Sequence, residues 1–122
     1  MPSSTQHDLG RLGEQLALEH YERLGFRLLA RNHRTPYGEL DLIVCDRHAI
    51  VFAEVKTRRV GGLDPLLSIT PRKLCRLRAL ATRWLAESPE RPRRAQLRLD
   101  GVAVIIDHND RLVSLEQLEG IG

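Results

Sequence analysis

Four charged side chains stand inside two short apolar runs: Glu39 and Asp41 in Glu39-Leu40-Asp41-Leu42-Ile43-Val44-Cys45, and Glu54 and Lys56 in the run from Ala49 to Thr57. Asp46-Arg47-His48 between them marks a reversal, so the two runs read as a β-hairpin. Buried strands rarely carry charge, which makes these positions candidates for chemistry. Strand alternation puts Asp41 on a face with Glu39, Ile43 and Cys45, and Glu54 on a face with Lys56, Phe52 and Ile50. If Cys45 lies opposite Ile50, partner numbers sum to 95. That register sets Asp41 against Glu54 and Glu39 against Lys56, all on one side of the sheet. A slip of one residue would send them to opposite faces.

Two carboxylates opposed at about 4.5–5.5 Å between Cβ atoms repel unless a cation or a proton lies between them. An Asp and a Glu with a Lys two residues on are what a metal-dependent phosphodiesterase needs. Mg²⁺ or Mn²⁺ would take Asp41 and Glu54 as anionic ligands and the main-chain carbonyl of Val55 as a third. Lys56 would orient the attacking water or help deprotonate it, and stabilise charge in the transition state. The alternative is an ordinary surface hairpin with an exposed Glu39–Lys56 salt bridge.

Charge distribution favours a polyanionic partner. Net charge is only +3, but Arg58 to Arg94 holds ten basic residues and three acids, a local balance of +7. Each phosphate neutralised by such a block releases counterions. Arg58 and Arg59, directly after the Glu54–Lys56 strand, could hold a nucleic-acid backbone, as could Arg72, Lys73 and Arg76. Of 19 basic residues only Lys56 and Lys73 are lysines, which suggests a compact ammonium is wanted at each. An exposed helix lysine is the other reading of Lys73. The five histidines have no metal-ligand spacing, and two cysteines exclude a disulfide scaffold or a Cys-rich zinc module.

The elements that must position these groups follow from pattern. Ser3, Ser4 and Thr5 offer caps for a helix running to about Leu24, with Leu9, Leu12, Leu16, His20 and Leu24 on one face and Gly25 as its stop. Gly10 and Gly13 inside it suit close approach by another backbone. Phe26–Arg31 reads as a strand and Thr35-Pro36-Tyr37-Gly38 as a turn. A loop follows from Arg58 to Ser68. Thr70-Pro71 caps a second helix whose buried stripe is Leu74, Leu77, Leu80, Ala81, Trp84 and Leu85. Ser88–Arg94 is a basic loop. Leu97–Ile106 is nearly continuous in apolar residues, hence a strand buried on both faces. Asp107–Asp110 turns into a short strand, Arg111–Leu115, and the tail from Glu116 carries little signal.

The order α-β-β-β-α-β-β in 122 residues predicts one α/β domain, residues 1–122, with a mixed central sheet flanked by helices. At 42% hydrophobic and 29% charged residues, wholesale disorder is excluded. No apolar run reaches the roughly 18–20 residues of a membrane helix. The start has no apolar stretch to serve as a secretory signal, so a cytoplasmic location with no membrane partner is expected.

Gly13-Glu14, Gly38-Glu39-Leu40-Asp41-Leu42-Ile43, Phe52-Ala53-Glu54-Val55-Lys56-Thr57-Arg58 and Lys73 ahead of a Leu/Ala helix resemble, in order, the YraN family. That family is similar to the PD-(D/E)XK superfamily, with the restriction-endonuclease-like core of Holliday-junction resolvases. The resemblance runs from about Leu9 to Ile106. It implies Asp41, Glu54 and Lys56 as a catalytic set, joined by Glu14 from the first helix, and an Mg²⁺- or Mn²⁺-dependent nuclease. Its substrate would be DNA, branched or single-stranded structures among the candidates, with RNA as the alternative. Analogy with resolvases allows a homodimer. A non-cleaving nucleic-acid-binding or partner-recruiting module on the same fold is the rival expectation.

Overall fold

The computed structural model describes residues 6–88, 92 and 95–122. The expected caps Ser3, Ser4 and Thr5, and Arg91, Arg93 and Arg94 of the basic loop, lie outside the described residues. The elements are α1 (Gln6–Arg23), β1 (Arg27–Thr35), β2 (Gly38–Cys45), β3 (Ala49–Arg59), α2 (Pro71–Ala86), β4 (Gln96–Ile106) and β5 (Leu112–Leu118), with a 3₁₀ turn at Pro65–Ser68. They form an α/β fold with one five-stranded mixed sheet in the order β1-β2-β3-β4-β5. Among the described residues only β3 and β4 pair in parallel, and α2 is the crossover between them.

Local chemistry accounts for most boundaries. Gly25, at φ +97°, ends α1 with its N–H on the Glu22 carbonyl at 3.0 Å. Thr70 caps α2, its Oγ1 accepting the Lys73 N–H at 3.2 Å, and Pro71 occupies the first helical position. At the β1–β2 tip, Thr35 Oγ1 donates to the Gly38 carbonyl at 2.9 Å and accepts the Tyr37 N–H at 3.1 Å.

Two apolar layers hold the sheet. Leu42, Val44, Val51, Ala53, Val55, Val102, Val104 and Ile106 pack on α1 through Leu9, Ala17, Leu18 and Tyr21. Ile43, Cys45, Ile50, Phe52 and Leu99 pack on Leu77, Leu80 and Ala81 of α2, with Trp84 edge-on to Phe52. Strands buried on both faces are expected only where helices cover both sides. Gly13 seats α1 on β3: a Cβ there would lie 1.7 Å from Thr57 Oγ1. The neighbour at Gly13 is a side chain and not the expected second backbone, and among the described residues nothing lies within 4 Å of a Cβ at Gly10, so close packing accounts for Gly13 and not for Gly10.

Several boundaries differ from expectation. β1 runs four residues further, to Thr35, because pairing with β2 overrides the polarity of Asn32-His33-Arg34. β5 extends to Leu118, and the tail folds back across the sheet: the Ile121 N–H bonds the Leu99 carbonyl at 2.8 Å, and Arg78 donates to the Gly122 carbonyl. β4 carries Gln96 and Arg98 near its start and then Asp100, which is fully buried. Its carboxylate accepts from Tyr21 Oη at 2.7 Å, Arg98 at 2.9 and 3.0 Å, Gln117 at 3.1 Å and the Gly120 N–H at 3.1 Å. Burial and the Asp100 charge push the Tyr21 phenol far above its ordinary pKa, so it stays a donor. Among the described residues no helix is long and apolar enough to cross a membrane.

Candidate active site

The site originates in a ladder that stops early. β2 and β3 pair as Cys45↔Ile50, Val44↔Val51, Ile43↔Phe52 and Leu42↔Ala53, the register that sums to 95. Its anchor is the intervening turn, where Asp46 Oδ1 accepts the His48 and Ala49 N–H groups at 2.8 Å and the Asp46 N–H reaches the Ala49 carbonyl. Bonded pairs alternate along an antiparallel ladder. Counting from Asp46 and Ala49, the next after Leu42/Ala53 would be Leu40/Val55. The Val55 N–H instead donates to Asp41 Oδ2 at 3.0 Å. Leu40 packs under α2 while Leu42 packs under α1, although residues two apart in a regular strand share a face. β2 therefore turns over at Asp41, and the carboxylate enters the wedge where the two strands part.

The electrostatics follow from that position. Burial, and then the neighbouring Glu54 charge, push the Asp41 carboxyl up to about 7, against the Val55 N–H and Lys56 that favour its ionised form. Glu14 on α1 adds to the rise. The Glu14 carboxyl is itself raised by burial and by Glu39, opposed by a hydrogen bond from Asn32 and by Arg31 and Arg11. Glu14 Oε2 is buried and has no hydrogen-bond partner among the described residues. Glu54 and Lys56 lie on the α2 side of β3, with Lys56 Nζ 3.1 Å from Glu54 Oε1. Both line a pocket of about 170 Å³ with Glu39, Lys73 and Arg76, floored by Leu77 and Leu80. Asp41 lies outside that lining, in the wedge.

The structure thus brings together Asp41, Glu54, Lys56 and Glu14, and sets Lys73 and Arg76 at the same pocket. Three expectations need correction. Glu39 faces the pocket but does not pair with Lys56; it meets Arg34 at 3.8 Å, because the cross-strand register ends at Leu42↔Ala53. Asp41 does not stand square on the face of Glu54, because β2 turns over beneath it. Arg59 is bound to the β4–β5 turn, donating to the Asp107 carbonyl at 2.7 Å and pairing with Asp110 at 2.8 Å, because β3 continues to Arg59 opposite Ile106. Arg58 and Arg72 are exposed but do not line the pocket.

Asn32 escapes sequence reasoning. It falls between the β1–β2 partners Arg31↔Leu42 and His33↔Leu40, hence across from Asp41. Its φ of +50° is unusual inside a strand, and Asn tolerates it better than most residues. From there it bonds Glu14. Nothing in the run Arg-Asn-His-Arg announces this. Asp100 had a signal, a charge inside an apolar run, the same rule that selects Asp41.

Two adjacent carboxylates with a raised Asp41, and an orphaned Glu14 oxygen beside them, fit a hard cation better than they fit each other. Among the described residues no three acidic, His or Cys side chains close on one point. An ion here would take Asp41 and Glu54 and complete its shell with main-chain oxygen and water, the pattern Mg²⁺ favours. N–H and C=O of a strand residue point to the same edge, so the Val55 carbonyl faces the wedge its N–H faces.

The model of a family described as "Uncharacterised protein family UPF0102" matches residues 13–104. The chain belongs to the UPF0102 family. That span holds Glu14, Asn32, Asp41, Glu54, Lys56, Lys73 and Arg76, and the four segments that carry the resemblance to YraN. A UPF0102 protein of Mycobacterium avium is 45% identical over 121 residues, 97% of this chain and 92% of that one. One of Mycolicibacterium vanbaalenii is 43% identical over 122 residues, 98% and 97% of the two chains. One of Acidothermus cellulolyticus is 52% identical over 86 residues, 70% of this chain and 65% of the other.

Proposed function

We propose that this UPF0102 protein is a divalent-metal-dependent nuclease with a restriction-endonuclease-like core that hydrolyses DNA phosphodiester bonds. The supporting observation is the wedge between β2 and β3, where Asp41, tethered by the Val55 N–H, meets Glu54 beside Lys56. Asp41, Glu54 and the Val55 carbonyl would hold Mg²⁺ or Mn²⁺. When bound, such an ion polarises the phosphoryl oxygens and lowers the pKa of the attacking water.

The chain's own groups do the rest. Lys56, on the strand that carries Glu54, orients the water and offsets charge developing on the phosphorane-like transition state. Lys73 and Arg76, at the start of α2, hold phosphates at the pocket. Glu14, kept near Asp41 by Asn32, adds a carboxylate behind the pair. Water adds to phosphorus, the bond to the leaving oxygen breaks, and that oxygen departs with a proton. Cytoplasmic DNA is the expected partner and RNA the alternative substrate.

The purified protein should cleave at least one member of a panel of single-stranded, duplex, flapped and four-way DNA with Mg²⁺ or Mn²⁺. Asp41→Ala and Glu54→Ala should each lose at least about a hundredfold in rate with unchanged circular dichroism. Full activity in either variant contradicts the assignment, and cleavage of RNA alone contradicts the choice of DNA. A second reading, a module that binds DNA without cutting it, is favoured by the 3.1 Å Lys56–Glu54 pair, which already gives Glu54 a cation. It requires salt-sensitive DNA binding with no Mg²⁺ or Mn²⁺ uptake at millimolar metal.

A further inference from the structure

Beside the pocket, on the far side of Leu80, lies a second groove of about 370 Å³ between the β1–β2 tip and the later half of α2. Leu80 lines both spaces. Gly38 forms the neck: a Cβ there would stand 3.1 Å from Leu80 Cδ1 and 3.9 Å from Arg76 Cδ. Tyr37 is 63% exposed at the groove, a large aromatic ring left in water at the corner of a tight turn. The Arg83 guanidinium carbon lies 4.5 Å from the centroid of its ring, and Arg83 Nε is fixed by Glu87 Oε1 at 3.3 Å. Trp84, the single tryptophan of the chain, lines the same groove.

Lys73, Arg76, Leu80 and Arg83 recur at steps of three and four, one row along α2. At 1.5 Å per residue the cations span about 15 Å, from the pocket to the groove. Tyr37, in the turn just before β2, precedes Asp41 by four residues, a span of at most about 13 Å at strand rise. Each strand of a DNA duplex carries one phosphate per about 3.4 Å of helix axis, and an unstacked single strand spaces them further apart, so this distance suits a few nucleotides. Arg34 adds positive charge on the hairpin side; Glu87 is the acid among the described residues lining this groove. A row of cations with an exposed ring at its end is how single strands are bound without sequence preference: backbone on charge, base on ring.

We propose that Tyr37, backed by Arg83, is a stacking platform for an unpaired base of single-stranded DNA whose backbone follows Lys73, Arg76 and Arg83 into the Asp41–Glu54 site. The inference rests on the nuclease reading for its direction, but binding tests it without cleavage. Inside a duplex the faces of every base are covered by its stacked neighbours, and only the two end pairs leave one face open, so the platform favours single strands.

The test is fluorescence anisotropy with a labelled dT12 oligomer and a 12-base-pair duplex, in EDTA at low salt. The wild type should bind dT12 at least about fivefold more tightly than the duplex, with quenching of Trp84 fluorescence. Tyr37→Ala should weaken dT12 binding about tenfold, the order seen for loss of one stacked base, and duplex binding less than twofold. Tyr37→Phe keeps the ring and should bind like the wild type. Wild-type affinity of Tyr37→Ala for dT12, equal loss in Tyr37→Phe, or tighter binding of duplex overturns the proposal. Tighter binding of the matching U12 RNA overturns its assignment to DNA. Expected binding in EDTA with no cleavage under any metal would leave the platform standing and remove the nuclease.

Discussion

At the scale of single residues, Asp41 carries the largest unresolved charge problem. Its carboxyl, ordinarily near 3.8, is raised to about 7 by burial and by Glu54. Below about pH 4 the folded and unfolded chains both hold that proton. Between 4 and 7 the folded chain keeps it while the unfolded chain has lost it, so this group's contribution to stability falls as pH rises through the window. Asp41→Asn keeps an oxygen for the Val55 N–H and carries no charge. In EDTA at pH 8 it should therefore be more stable than the wild type, on the order of a few kcal/mol at most, with the gap closing toward pH 4. Paired thermal melts at the two pH values check this; a less stable variant at pH 8 would contradict the electrostatics. Asn32 permits a second test. Ala and Gly both remove the bond to Glu14, but only Ala is strained at φ +50°. Asn32→Gly should be more stable than Asn32→Ala by about 1 kcal/mol in denaturant titration, the reverse of an ordinary strand position.

At the scale of elements, the site depends on how α1 and β2 meet β3. Gly13→Ala would drive a methyl group into Thr57 and lift the turn of α1 that carries Glu14. It should cost about 1–3 kcal/mol, and Thr57→Ala in the same chain should recover part of that, a coupling readable from a double-mutant cycle. The hairpin register was legible because strand alternation and the Asp46-Arg47-His48 turn leave one pairing that hides both apolar sets. The turnover at Asp41 was not, since nothing in Glu-Leu-Asp-Leu distinguishes a strand that continues from one that peels away. Thr70-Pro71 and Gly25 announced their helix ends through capping chemistry that acts within a few residues. The length of β5 and the return of Ile121 across Leu99 depend on partners some twenty residues away, which local pattern does not record.

For the whole molecule, two networks lie on separate parts of the sheet. Asp100 is fully satisfied by Tyr21, Arg98, Gln117 and Gly120, and ties α1, β4, β5 and the tail together. Asp100→Ala leaves a half-buried guanidinium and a buried phenol without their acceptor. It should cost about 3–5 kcal/mol in chemical denaturation while leaving the disposition of Asp41 and Glu54 unchanged. The Asp41–Glu54 wedge is the opposite case, acids brought together with too little positive charge between them. Family membership and the α/β sheet are shared properties of the chain; the wedge is where it departs from the simplest way to finish a hairpin. The most direct measurement is a calorimetric Mn²⁺ titration of the wild type, Glu54→Ala and Lys56→Ala. The expected result is one site in the wild type and in Lys56→Ala and none in Glu54→Ala; the same isotherm for wild type and Glu54→Ala, or no uptake by the wild type at millimolar metal, would contradict the claim that Asp41 and Glu54 together form a cation site.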